Sequence, residues 1–181
     1  PSLNAVLQCV IKHSPLFAKA WELANRHKKL QIVDFDRGSK EASLFNYLPF
    51  VHMITIEKSS NAFWRAYGLI FETLNALQSE RFKKIHKLAE TGMLSREEYT
   101  FLLEYLEYET LLWTHRIIGW KDPPNLIDFW KDENTLQQIG PAPYKRIHSE
   151  LYRKQWDWFY SFTYLRKHPE SRAVPIQKSL A

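Results

Sequence analysis

The chain has a single cysteine, Cys9, in 181 residues, and this excludes an internal disulfide. A reducing compartment is compatible with that. Cys9 sits in the apolar stretch 6–11, where a small buried residue is expected. Five glycines are too few for a turn-rich all-β protein. No apolar run approaches the roughly 18–20 residues that span a bilayer, and no charged-then-apolar leader is visible. The expectation is a soluble chain, either cytoplasmic or secreted without a visible signal peptide. Also missing are G-x-S-x-G, a phosphate-cradling glycine loop and G-x-G-x-x-G. The net charge of +5 contains no like-charge block long enough to suggest a disordered tail.

What is present is material for a core. Hydrophobic residues make up 45% of the chain and aromatics 15%, in 21.6 kDa, which fits one domain or one domain with an appendage. Residues 3–12 and 15–29 read as helices, the second started by Ser14-Pro15 with serine as cap and proline at the first helical position. Residues 31–36 (QIVDFD) and 52–58 (HMITIEK) read as strands. A long helix is expected from Asn61 to about Thr91. Another runs from Ser95 to about Ile118, opened by the capping box Ser95-Arg96-Glu97-Glu98. Beyond the Asp122-Pro123-Pro124 break, helices are predicted over 125–138 and 144–168, with an irregular tail from Pro169. The fold class is therefore α+β and mostly helical. Residues 1–120 form the core and residues 121–181 an aromatic-rich helical extension packed on it.

Within the long helix, Phe71-Glu72-Thr73-Leu74-Asn75 occupies the frame of an H-E-x-x-H motif. In that motif two histidines four apart share a helix face and bind zinc, and the glutamate acts as general base. Here the carboxylate remains while Phe and Asn stand at the metal positions. Phenylalanine donates nothing to a metal, and an amide oxygen suits calcium better than zinc. The chain resembles a zincin-like metallopeptidase domain, of the small effector and toxin kind made by bacteria, with its motif degenerate. The resemblance covers residues 14–118 and implies a helix, a small sheet with an edge strand, the motif helix and a second helix carrying the third ligand. Glu107 or Glu104, beside Tyr105-Leu106-Glu107-Tyr108-Glu109, fills that last position. No resident metal or cofactor is expected.

Glu72 and Asn75, three apart, share a helix face, and an ionised carboxylate among Leu69, Ile70, Phe71 and Leu74 is costly to bury unpaired. One reading is a polar pocket holding Glu72, Asn75, Glu107 and His115. The other is a structural pair in which Glu72 meets Arg65, Arg116 or His115. His115 with two glutamates is a legitimate ligand set, but no His-x-x-x-His or Glu-x-x-His pair completes it, and a lone histidine there reads more simply as hydrogen-bonded structure. Asp34 and Asp36 read as a solvated strand end.

In residues 144–168, aromatics (Tyr152, Trp156, Trp158, Phe159, Tyr160, Phe162, Tyr164) alternate with bases, as a single-stranded nucleic-acid site would need. The period Ile147, Leu151, Trp158, Phe162, Leu165 instead makes a core-facing stripe, and any exposed part suits a protein partner better than nucleic acid. The leading functional expectation is a catalytically degenerate peptidase-like domain that binds a macromolecule. The alternatives are a metal-independent hydrolase or transferase using Glu72 as base and Asn75 to polarise a carbonyl, and a helical interaction module with an accidental motif.

Overall fold

A computed structural model describes residues 1–36, 38, 44–122 and 152–157. Their elements run α1 (Leu3–His13), α2 (Pro15–Ala24), β1 (Gln31–Phe35), β2 (Phe45–Leu48), β3 (Met53–Glu57), α3 (Ala62–Leu77), α4 (Ser79–Glu90) and α5 (Arg96–Ile118). The fold is α+β and mostly helical, as the sequence predicts. By contact the chain groups into two units, Pro1–Ser79 with Glu107–Pro123, and Glu80–Leu106 with Pro124–Ala181.

Helix starts follow local chemistry. Ser2 accepts from Ala5 N–H at 3.2 Å, Ser14 from Phe17 N–H at 3.1 Å and Asn61 from Trp64 N–H at 3.1 Å, each satisfying a donor that the first helical turn leaves open. At α5 the capping box closes both ways: Glu98 N–H donates to Ser95 Oγ and Ser95 N–H donates to the Glu98 carboxylate at 2.8 Å. That bond holds the Glu98 pKa below the ordinary glutamate value.

Several boundaries move for local reasons. α2 stops at Ala24, short of the expected residue 29, because Asn25 takes over the chain: its amide donates to Trp21 O and its oxygen accepts from Leu30 N–H. The helix expected over 61–91 is two helices, α3 and α4, divided at Gln78 (φ −91°, ψ 0°), whose side chain donates to Thr110. A third strand, β2, joins the two expected ones. Cys9 is exposed rather than buried. Leu3, Val6 and Leu7 form the buried face of α1, and a 3.6-residue period turns position 9 outward. The expected helix 125–138, the stripe residues of 144–168 and the tail lie outside the described residues. Only 152–157 of that region is described, and it is helical.

In the first unit the sheet order is β1-β3-β2, with β1 parallel and β2 antiparallel to β3. α3 packs against α1, α2, β2 and β3 and is buried over Arg65, Gly68–Thr73, Asn75 and Ala76, so it is a central helix with core on most of its sides. Its seat on the sheet depends on Gly68, where a Cβ would come within 2.8 Å of Ile56 Cδ1 and 2.9 Å of Phe45 Cδ1. Arg65, also buried, donates to Lys58 O at 2.9 Å and to Asp34 Oδ1 at 2.5 Å. This fixes the start of α3 to the carboxyl ends of β1 and β3. Asp34 is thus an ion-pair partner in addition to being partly exposed.

The second unit has its own core of Ile85, Ala89, Tyr99, Leu103, Leu106 and Tyr152, with Trp156 against it. Trp156 N–H donates to Leu94 O at 3.1 Å, and Arg153 pairs with Glu97. Within it His86 Nδ1 lies 2.9 Å from the Tyr99 hydroxyl. Burial is the main cause lowering the His86 pKa, opposed by the Glu90 charge. Burial also raises that of Tyr99.

Gly68→Ala should lower stability by about 1–3 kcal/mol through overpacking, although alanine is intrinsically the better helix former by about 1 kcal/mol. A denaturant midpoint at or above that of the wild type would show that the sheet gives way. A histidine whose folded pKa is depressed binds its proton more readily when unfolded, so its contribution is present above the unfolded value, about 6.5, and lost as pH falls through the folded one. Between pH 7.5 and pH 5 the wild type should therefore lose more stability than His86→Gln, and parallel losses would contradict this.

Candidate functional site

The residues that the motif frame brings forward lie on α3 and the C-terminal half of α5, within the first unit. Glu72 and Asn75 are both buried. Asn75 Nδ2 donates to Glu72 Oε2 at 3.0 Å, one helical turn away. From α5, the Thr110 hydroxyl donates to Asn75 Oδ1 at 2.9 Å, and Gln78 Nε2 donates to Thr110 Oγ1 at 2.7 Å. The donors all point one way, from Gln78 through Thr110 and Asn75 to the carboxylate. In a chain of this kind each bond polarises the next.

This directional run depends on α5 presenting polar groups to a buried surface. Glu107, Thr110, Leu111, Thr114 and His115 are all buried and recur at spacings of three and four, so they form one stripe. Thr114 donates its hydroxyl back to Thr110 O at 2.8 Å, as Thr73 does to Leu69 O at 2.6 Å on α3. Such back-bonds satisfy a buried threonine without a tertiary partner. Glu107 stands one turn before Thr110 on this stripe, and Glu104 is buried one turn further back.

The three cations offered to Glu72 by sequence bond elsewhere. Arg65 goes to Asp34 and Lys58 O. Arg116 takes Asp122 in a two-pronged pair, at 3.0 Å from Nε and 2.9 Å from the far nitrogen. That pair holds the Asp122 pKa down and the Arg116 pKa up. His115 Nδ1 lies 2.8 Å from Lys121 O. A carbonyl only accepts, so this nitrogen carries a proton. The other, Nε2, is buried with no hydrogen-bond partner among the described residues. His115 thus belongs to the end of α5 and its return, about 12 Å of helix rise beyond Glu107, and it makes no hydrogen bond to Glu72 or Asn75.

Phe71, at the first metal position of the frame, is part of an aromatic wall. Its ring stacks on Tyr67 at 6.1 Å and 13° and meets Phe45 of β2 at 6.0 Å. Tyr67 and Phe63 both reach Trp120, which receives His115 edge-on at 5.3 Å. Burial raises the Tyr67 pKa. The Phe71 ring closes α3 onto the sheet through Phe45. Among the described residues no group of three or more His, Cys, Asp and Glu side chains is placed to hold a metal ion.

The sequence reading picked out Glu72 and Asn75, and the structure joins them. Thr110 and Trp120 have no role in the sequence reading. A buried asparagine needs an acceptor and a donor; Glu72 one turn back is the acceptor, and a threonine on the facing helix is the donor.

Removing the middle of this run tests it. Asn75→Ala leaves the Thr110 hydroxyl without its acceptor and takes a donor from Glu72, so it should cost about 1–3 kcal/mol. The denaturant midpoint of Asn75→Ala measures this; a midpoint equal to that of the wild type would contradict the run of bonds described above.

Comparison with known proteins adds no relative: no family model, no curated protein and no solved structure matches this chain.

Proposed function

We propose that this chain is a zincin-like module that no longer hydrolyses peptides and acts by binding a macromolecule, in the first place another protein. The observation that supports this reading most is the occupation of the motif helix. At the general-base position Glu72 is 5% exposed and accepts from Asn75, which is itself held by Thr110. A general base must stand within hydrogen-bond reach of the water or substrate proton that it takes, and a carboxylate fixed in this way serves packing. Phe71 supports the same reading, since its ring fills the position of a ligand with contacts to Phe45 and Tyr67.

The alternative in which Glu72 and Asn75 carry out metal-independent hydrolysis needs the Asn75 amide free to polarise a carbonyl. Its donor is directed at Glu72 instead. The proposal is tested by elemental analysis after mild dialysis, together with hydrolysis of a mixed peptide library. The expected result is no stoichiometric zinc and no cleavage above that of a Glu72→Gln control. About one zinc per chain, or cleavage that Glu72→Gln abolishes, would overturn it.

A further inference from the structure

The amino end of the parallel strand pair carries a surface unrelated to the α3–α5 cluster. β1 and β3 begin side by side, with Gln31 paired to Met53 and Gln31 N–H donating to His52 O at 3.1 Å. β2 runs antiparallel and ends there at Leu48. Two connections therefore meet at one edge of the sheet: residues 26–29 ahead of β1, and residues 49–52 between β2 and β3.

The two connections have opposite chemistry. The first is Arg26-His27-Lys28-Lys29, all four exposed. The second is apolar and equally open: Phe50 is 99% exposed, Val51 46% and Leu48, just before Pro49, 41%. A fully exposed phenylalanine at a turn packs against nothing in its own fold, and together with its two apolar neighbours it makes a patch rather than a scattered single residue.

Both connections are held in place. Asn25 bonds Trp21 O behind the basic run and Leu30 N–H ahead of it, and Leu30 is buried. His52 closes the apolar turn with a positive φ of 55°. Its Nε2 lies 2.9 Å from Ala24 O and its Nδ1 2.8 Å from the Tyr47 hydroxyl. The histidine thus ties the tip of the β2–β3 hairpin to the end of α2, where the basic run starts. Glu22 is the acidic neighbour of this run, through the Arg26 charge, and it is already bonded to Lys19 at 2.9 Å.

We infer that this edge is a docking surface for an anionic phospholipid bilayer, with Phe50, Val51 and Leu48 entering the headgroup–acyl boundary and Arg26, Lys28 and Lys29 meeting lipid phosphates. Charge complementarity selects the occupant. Interfacial binding scales with buried apolar area plus the attraction of cations to acidic lipid, and the two are held here on one rigid edge. The apolar part is a projecting turn and not a recess. It suits a soft boundary that opens around it better than a protein partner, which would have to supply a matching pocket. Among the described residues no helix is long and apolar enough to cross a membrane.

Vesicle co-sedimentation tests this with the whole chain, using phosphatidylcholine vesicles with and without phosphatidylserine. Binding is expected with phosphatidylserine only, and it should weaken as salt rises toward about 1 M, where the screening length is about 3 Å. The double variant Phe50→Ser with Val51→Ser should weaken it roughly tenfold or more. Lys28→Gln with Lys29→Gln should weaken it about 25-fold. Circular-dichroism melts should leave both variants with the wild-type midpoint, since the side chains changed are exposed. The inference is overturned if acidic vesicles are not bound, or if the Phe50/Val51 variant binds them as well as the wild type. It is equally overturned if the surface proves to serve a different occupant: a single-stranded oligonucleotide bound through Lys28 and Lys29 without vesicle binding, or a dimer that Phe50→Ser dissociates. None of these results depends on whether the chain hydrolyses peptides, so they stand apart from the test of the proposed function.

Discussion

The burial of α3 on most of its sides sets the terms for the rest of the first unit. A helix with core around it needs apolar groups facing every neighbour, and it has to satisfy internally every polar group it carries. α3 carries Arg65, Glu72, Thr73 and Asn75 into that position. The structure answers for most of these groups: strand ends take two of the Arg65 nitrogens, while its Nε has no hydrogen-bond partner among the described residues; the preceding turn takes Thr73, and the Thr110–Asn75–Glu72 run joins the other two. Without these partners the same residues would oppose folding, each by the cost of a desolvated and unbonded group.

The two polar anchors sit near opposite ends of the helix, and this arrangement determines its register. Apolar contacts are non-directional, so a helix held by them alone could slide or rotate against the sheet at small cost. Arg65 must meet Asp34 and Lys58 O at the carboxyl ends of β1 and β3, while Asn75 must meet Thr110 on α5. Between them Gly68 brings the helix close to Ile56 and Phe45. Gly68 limits how far α3 stands from the sheet, and the anchors limit where along it α3 can lie. A fixed register of this kind also explains why Phe71 can complete an aromatic wall with Phe45 and Tyr67.

Legibility in the sequence divided along physical lines. Caps could be read because their chemistry is local: Ser14-Pro15 and Ser95 with Glu98 are found where the pattern places them. The class of the fold followed from long apolar periods. The end of α2 was missed because Asn25 stops the helix with two side-chain bonds, one of them to a residue beyond the helix. The division at Gln78 was missed for a related reason, since its side chain bonds to a residue 32 positions away. α5 hid its buried face because that face includes Glu107, Thr110, Thr114 and His115, so hydropathy alone shows no single stripe. Glu72 stood out as an acid in an apolar run, but its partner could not be chosen from three plausible cations. The structure gives it an amide from its own helix.

Polar groups are inside the α3–α5 cluster, and apolar groups are outside at the β2–β3 turn. The second inversion is the harder one to attribute to folding. A turn between antiparallel strands asks for residues that accept unusual backbone angles and face water, and Asn, Gly and Asp meet that need. Here the position with positive φ is His52, a choice that its bonds to Ala24 O and Tyr47 account for. Nothing comparable holds Phe50 in place. Its 99% exposure means that serine or asparagine would serve the turn as well, without leaving an apolar patch open to water. A residue that contributes no packing to its own fold, yet is presented at the tip of a turn pinned by His52, is placed to pack against something else. The exposed cations on the neighbouring connection decide the chemistry of that surface.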